Sequence, residues 1–288
     1  MITGTALEPV DYLAIGHITR DIIPQGDIPG GPVLYSALTA RALGFRVGIV
    51  TACAADYSLP VSEGITILSK FGEVTTTFEN IYTPDGRIQI LHQIADPINL
   101  SNIPEIWRKT PIIHIAPVAS ETDPSLARYF PDSLVCITPQ GFMRAWDQAG
   151  NVSSSEWPEA AYVLENSAAA VISIEDINGD ESRIEEMLRS IRILAVTEGA
   201  EGARIYWNGD VRRFSPPRVT EVDSTGAGDI FAACFFTRYN STRDPWEAGR
   251  FATQLAGFSV TRRGLESLPK IEEINRVSTE ILNAEWQI

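Results

Sequence analysis

No stretch of this sequence is apolar for the roughly 18 to 20 residues that a bilayer-spanning helix needs. Met1–Pro9 also lacks the basic-then-apolar order of a leader, so a cytoplasmic protein is expected. Cysteine is scarce: Cys53, Cys136 and Cys234 stand about 80 or more residues apart in apolar surroundings, without the close pairs of a zinc site. Reduced core thiols are expected. His17, His92 and His114 are as few and as scattered, with no HExxH or other ligand spacing, which argues against a transition-metal enzyme. Positive charge is the minority, 23 Lys and Arg against 37 Asp and Glu, for a net charge of −14. Such a chain repels nucleic-acid backbones and anionic membranes. The doublets Arg212-Arg213 and Arg262-Arg263 read as solvated edges. Internal repeats, low-complexity tracts and obvious linkers are missing too.

What is present is a chain of 288 residues, 44% hydrophobic and 21% charged, enough to bury one large core with a small appendage. Val10–Gly16 is a short apolar run, Gly31–Leu43 has helical spacing, and Arg46–Ala52 reads as the next strand. This βαβ order implies a parallel sheet with helices on its faces. Further apolar runs at Pro111–Ile115, Leu134–Thr138, Ala169–Ile174 and Ile193–Thr197 alternate with helix-like stretches such as Asp180–Ser190. Glu73–Tyr82 and Arg87–Ile94 predict a hairpin turning at Thr83-Pro84-Asp85-Gly86, and Ala203–Trp207 and Val211–Phe214 a second turning at Asn208-Gly209-Asp210. Asp229–Tyr239, Pro245–Thr261 and Lys270–Asn283 predict helices.

The chemistry concentrates in Pro217–Phe236, where a β-like run ends at Val222 and a helix begins near Asp229. Between them, Asp223-Ser-Thr-Gly-Ala-Gly-Asp229 puts small residues at a helix start, leaving backbone N–H groups and the positive end of the helix dipole uncovered: an anion site. Asp229 there reads either as a helix cap or as a general base that takes the proton of a hydroxyl attacking a bound phosphate.

With that segment, the chain resembles the ribokinase-like, phosphofructokinase-B-type (PfkB) family of carbohydrate kinases over nearly its whole length. The resemblance implies an α/β three-layer sandwich: a mostly parallel central sheet flanked by helices, with a small β lid from about residues 18–29 and 73–98, in one kinase domain. It makes Gly226, Ala227 and Gly228 the anion hole and Asp229 the base. Gly16-His-Ile-Thr-Arg-Asp21 followed by Gly30-Gly31 is similar to the family's sugar-binding start, with Asp21 gripping hydroxyls and both glycines bringing backbone close. Thr197-Glu-Gly199-Ala-Glu-Gly202 looks like the nucleotide turn, with Thr225 beside it. Arg250–Gly264 resembles the segment that closes over adenine, offering Ala252, Thr253 and Gly257. ATP, Mg²⁺ and a monovalent cation such as K⁺ are the implied cofactors.

The sequence also departs from the family pattern. Where the family commonly has Asn-x-x-Glu, this chain has Ser173-Ile-Glu-Asp176, so Asp176 or Glu175 would serve the magnesium. Tyr35 falls where a substrate asparagine is usual, suggesting a pocket for a different ring. About thirteen residues separate Ile18 from Gly31, a short lid, which leaves monomer and homodimer both open. Thr138-Pro-Gln-Gly-Phe-Met-Arg144 resembles a string seen in a myo-inositol kinase-like subgroup. Its Arg144 either anchors substrate or phosphate or forms a surface ion pair. The expected activity is ATP-dependent phosphorylation of a sugar or polyol hydroxyl. The alternatives are a nucleoside kinase, with Tyr35, Trp107, Phe142 and Trp146 available for stacking, and a silent ligand-binding regulator.

Overall fold

Tyr12–Ile15 is apolar at every position, as a strand buried on both faces must be. Strand alternation sends Tyr12 and Ala14 into one core and Leu13 and Ile15 into another. The computed structural model describes residues 7–24, 26–60, 63–83 and 86–285. Residues 1–6 of the stretch Met1–Pro9, and Pro84-Asp85 of the first hairpin's turn, lie outside them.

In chain order the elements are β1 (Tyr12–Ile15), β2 (Thr19–Ile23), β3 (Gly26–Gly30), α1 (Pro32–Ala42), β4 (Val47–Ala54), β5 (Ile65–Gly72), β6 (Thr77–Thr83) and β7 (Gly86–Gln93). There follow β8 (Ile112–Ile115), β9 (Leu134–Ile137), β10 (Arg144–Trp146), β11 (Val152–Ser154), α2 (Ala160–Glu165), β12 (Ala169–Ser173) and α3 (Glu181–Met187). The last are β13 (Ile193–Thr197), β14 (Ala203–Trp207), β15 (Asp210–Phe214), α4 (Ala227–Thr242), α5 (Pro245–Ser259) and α6 (Ile271–Glu285).

A nine-stranded sheet runs β15-β14-β13-β12-β9-β8-β1-β4-β5, parallel from β13 to β5, with β14 and β15 antiparallel at one edge. One face packs against α1, α4, α5 and α6, the other against α2, α3 and 3₁₀ turns, giving the expected layers of helix, sheet and helix. A smaller sheet, β3-β2-β6-β7, stands apart from it. The expected segment 73–98 supplies strands to it only over Thr77–Thr83 and Gly86–Gln93.

Two expectations need correction, and one strand, β5, was not among those expected. β5 lies at the sheet edge with Thr66, Ser69 and Lys70 among its apolar residues, so no clean periodicity announces it. Pro217–Val222 is not a strand: Pro216 and Pro217 have no N–H to give a ladder, and the N–H groups of Val222 and Asp223 donate to Val260 O at 2.7 and 3.1 Å. Arg262, read as part of a solvated edge, is instead largely covered and committed to Glu273 at 2.7 Å, whereas Arg212 and Arg213 do lie exposed on the edge strand β15, Arg213 pairing with Glu198 at 2.7 Å. The Asn208-Gly209 turn does form, at φ 52° and 79°, the left-handed pair that a two-residue hairpin loop requires. All three cysteines are buried and unpaired.

Histidines serve the framework. His17 is buried; its Nε2–H donates to Asp96 O (3.0 Å), so Nδ1 accepts the Thr76 hydroxyl (2.6 Å), pinning the small sheet to the end of β1. His114, between Tyr12 Oη and Thr138 Oγ1, is driven by burial to a pKa of about 3 and is neutral. Among the described residues no helix is long and apolar enough to cross a membrane.

Candidate active site

Helix α4 begins abruptly. Gly226 is its N-cap with φ 78°, a left-handed conformation, and no side chain caps the helix. A Cβ at Gly226 would also collide with the Tyr35 ring, so the backbone lies directly on an aromatic face. Asp223 holds the approach to this turn: Oδ1 accepts Thr225 N (2.9 Å) and Oδ2 accepts Gly264 N (3.3 Å). Asp229 is the third helical residue, so the capping alternative does not apply. A Cβ at Gly228 would meet nothing within 4 Å, which leaves the first turn open toward a cleft.

That cleft holds about 1300 Å³ and crosses the carboxyl ends of the parallel strands, where open α/β sheets bind ligands. At its midpoint lies Asp229, whose pKa is raised to about 7, first by burial and then by repulsion from Asp176, while Arg144 pulls it down. The carboxylate still opens partly to the cleft.

Of the residues singled out in the sequence, Asp21, Gly31, Tyr35, Arg144, Glu175, Asp176, Thr197, Gly199, Gly202, Thr225, Gly226, Ala227, Gly228, Asp229, Thr253 and Gly257 all line this one cleft. Two do not. Ala252 is fully buried in the core, because on α5 only the turn-spaced Thr253, Ala256, Gly257 and Val260 face outward to the cleft. Gly30 sits behind Asp21, where a Cβ would strike the Asp21 carboxylate; its smallness lets that side chain fold back to accept the Thr19 hydroxyl at 2.8 Å.

At one end, Asp21 on β2 and Phe78 on β6 bring the small sheet over the main one. The Arg144 guanidinium lies 5.8 Å from the Phe78 ring centre and donates from Nη1 to Val118 O at 3.2 Å. Asp176 ends its own tight turn, with Oδ2 accepting Ser173 N (2.9 Å) and Oδ1 accepting Gln140 Nε2 (3.0 Å). Gln140 had gone unremarked, although it lies inside the Pro-Gln-Gly string. Of the four aromatics offered for stacking on a base, Tyr35 lines the cleft and the other three are elsewhere. Trp107 is fully buried with Nε1–H donating to Glu8 O, Phe142 stacks on Trp157 with centroids 5.5 Å apart, and Trp146 lies in a separate surface groove.

At the other end, Thr197 and the Gly199–Gly202 turn face Pro217, Val219, Ala256, Gly257 and Val260 across an apolar slot. The turn is anchored by Glu198, which pairs with Arg204 (2.8 Å) and Arg213 (2.7 Å).

A family model described as pfkB family carbohydrate kinase matches residues 156–271, the stretch holding Asp176, the Thr197–Gly202 turn and the start of α4. The fructokinase of Escherichia coli is 27% identical over 301 aligned positions, covering 90% of this chain and 96% of its own. The inositol 3-kinase of Oryza sativa subsp. japonica is 24% identical over 253, covering 80% and 63%. In structure the chain is similar to a pyrophosphate-dependent kinase of the ribokinase family complexed with a pyrophosphate analog and myo-inositol, with a TM-score of 0.78, covering 92% of this chain and 99% of that one. At 21% identity that likeness is one of fold. The kinases among these relatives mark the chain as a phosphotransferase with an alcohol group as acceptor. The chain is similar to the pfkB family of carbohydrate kinases over the stretch that the family model matches, and its relatives above are named as kinases of sugars and polyols.

Proposed function

We propose that the protein transfers the γ-phosphoryl group of ATP to a hydroxyl of a sugar or cyclic polyol, with Asp229 as general base. The carrying observation is that one continuous cleft joins Asp21 and Arg144 at one end to an apolar slot at the other, with the open start of α4 midway. The acceptor lies under the small sheet, which acts as a lid, with Asp21 accepting from its hydroxyls. Asp229 takes the proton of the attacking hydroxyl as its oxygen bonds to the γ-phosphorus and the bond to the β-phosphate oxygen breaks. The N–H groups of Gly226, Ala227 and Gly228 receive charge developing on the transferred group, where fixed dipoles in a dry site act most strongly.

The slot of Pro217, Val219, Ala256 and Val260 supports a nucleotide donor, since apolar walls suit a purine face, while Arg218 on the same wall is a charge for the phosphates of either donor. Mg²⁺ fits the same ground. Burial first and repulsion from Asp176 second raise the Asp229 pKa, and a cation carried in with the nucleotide would relieve that repulsion. Asp176, with an oxygen already engaged by Gln140, and Glu175 on the cleft wall are the groups that would hold it, and it would neutralise donor phosphate charge. A pyrophosphate donor is the second reading, favoured by the fold likeness to the pyrophosphate-dependent kinase.

The test is a phosphoryl-transfer screen of sugars, polyols and nucleosides, run with ATP and with pyrophosphate. Turnover with ATP and a sugar or polyol is expected. Turnover with pyrophosphate alone would replace the donor, and a nucleoside as best acceptor would overturn the acceptor class.

A further inference from the structure

Glu121, in the turn after β8, takes no part in the chemistry above, yet it is only 3% exposed. A carboxylate is withdrawn from water at a large cost unless its oxygens are satisfied. Here they are satisfied entirely by backbone. Oε1 accepts the N–H of His17 (2.9 Å) and of Val118 (3.0 Å), and Oε2 accepts Val118 (2.9 Å) and Ala119 (2.7 Å). Its bonds therefore fix the path of the chain at the carboxyl ends of two neighbouring strands, β1 and β8.

Each strand end leads to one of the two charged groups at the acceptor end of the cleft. Past β1, the His17 ring anchors the root of the small sheet at Thr76 and Asp96, and Thr19 and Asp21 follow directly. Past β8, Val118 O accepts from Arg144, Gly141 N donates to Pro117 O (2.9 Å), and the Ser120 hydroxyl donates to Gly141 O (2.7 Å). A Cβ at Gly141 would collide with Pro117 and Val118, so the two turns touch backbone to backbone. Ser120 holds φ 56°, a left-handed position that a serine keeps only when its surroundings impose it.

We infer that Glu121 is a positioning residue for acceptor recognition: one buried carboxylate ties the strand-end turns together and so sets Asp21 and Arg144 at a fixed separation. The inference rests on the acceptor end assigned above. The chemistry explains the residue type. Glutamine would turn one acceptor oxygen into an NH₂ facing N–H groups, and aspartate is a methylene too short to span both turns.

Glu121→Gln tests this in two ways. In steady-state kinetics with ATP and the acceptor found by the screen, its acceptor KM should rise about 10- to 100-fold, the cost of misplacing a contact by about an ångström. The ATP KM should stay within about twofold. Because Glu121 acts through Arg144, adding Glu121→Gln to Arg144→Ala should cost far less than it costs the parent. A lower kcat with both KM values unchanged would mean only that less enzyme is folded, and would overturn the inference; so would full additivity with Arg144→Ala. The second measurement needs no turnover. Amide hydrogen exchange in Glu121→Gln should quicken jointly over residues 117–121 and 140–144 while the rest of the chain keeps its protection. Faster exchange in 117–121 alone, or throughout, sinks the proposal whether or not an acceptor is found. A parent that phosphorylates nothing counts instead against the kinase reading. If Glu121→Gln does not fold, Ser120→Ala, which cuts only the link to Gly141 O, should raise the acceptor KM several-fold at an unchanged melting temperature. An unchanged acceptor KM in that variant refutes the inference.

Discussion

Replacing Asp229 by Asn keeps the shape of the side chain and removes its charge, and two independent consequences follow from the site. As a positioned general base, Asp229 should contribute about 10² to 10⁴ in rate, so kcat should fall by that factor with the ATP KM nearly unchanged. The second consequence is a gain in stability. A rise in pKa from 3.8 to about 7 would correspond to about 4 kcal/mol for a carboxylate wholly withdrawn from water, at about 1.4 kcal/mol per tenfold change in proton affinity. Asp229 opens partly to the cleft, which roughly halves that figure, and the helix start favours a carboxylate by about 0.3–1 kcal/mol, so about 1–2 kcal/mol remains. For a chain of this size that is about 2–8 °C in Tm. The sign depends on pH. Below about pH 4 the carboxyl is protonated in folded and unfolded chains alike, and parent and variant should melt together. Between about pH 4 and 7 the unfolded chain ionises while the folded one resists, so the parent loses stability as pH rises and Asn does not. The gap should therefore open through this window and level off above it. Melting curves at pH 4, 6 and 8, with kcat on the same samples, make the measurement. A variant that turns over at the parental rate, or that melts below the parent at pH 8, would refute the reasoning.

The neighbouring charges should move the pH–rate profile in opposite directions. Asp176→Asn removes a repulsion and should shift the acidic limb of kcat/KM, where the base ionises, to lower pH, whereas Arg144→Ala should shift it higher; a common direction would show that neither charge reaches Asp229. Two glycines two residues apart should fail differently. Gly226→Ala, strained at φ 78° and pressed on Tyr35, should lower Tm, while Gly228→Val, with open space before it, should melt like the parent and lose phosphoryl transfer. Arg204, buried between Glu181 and Glu198, holds the Thr197–Gly202 turn. Arg204→Ala should cost about 3 kcal/mol in denaturant unfolding, and a loss under about 1 kcal/mol would mean the network is dispensable. Turnover undiminished in excess chelator would remove magnesium from the mechanism.

Most of the site was legible in the sequence because its parts are local. The Asp223–Asp229 turn, the Thr197–Gly202 turn and Asp21 before two glycines each require small residues and a carboxylate within a few positions, and short-range backbone geometry fixes what such segments do. The layered fold was legible for a similar reason, since apolar runs of four or five residues separated by helical periods leave little but a parallel sheet. What remained hidden depends on contacts across the chain. Ala252 and Thr253 are adjacent and alike in the sequence, and only the docking of α5 decides that one enters the core and the other the cleft. Trp107, Phe142 and Trp146 had the chemistry to stack on a base, but packing placed each elsewhere. The pKa of Asp229 comes from burial and from Asp176 and Arg144, residues distant in sequence. Glu121 carries no motif, and its bonds to His17, about a hundred residues away, and to Val118 exist only once β1 and β8 lie side by side. The sequence by itself therefore determined which segments can bend around a phosphate or fill a sheet. Tertiary structure decided which side chains face the same volume and what charge each carries there, because burial and Coulomb interactions depend on distance in space rather than along the chain.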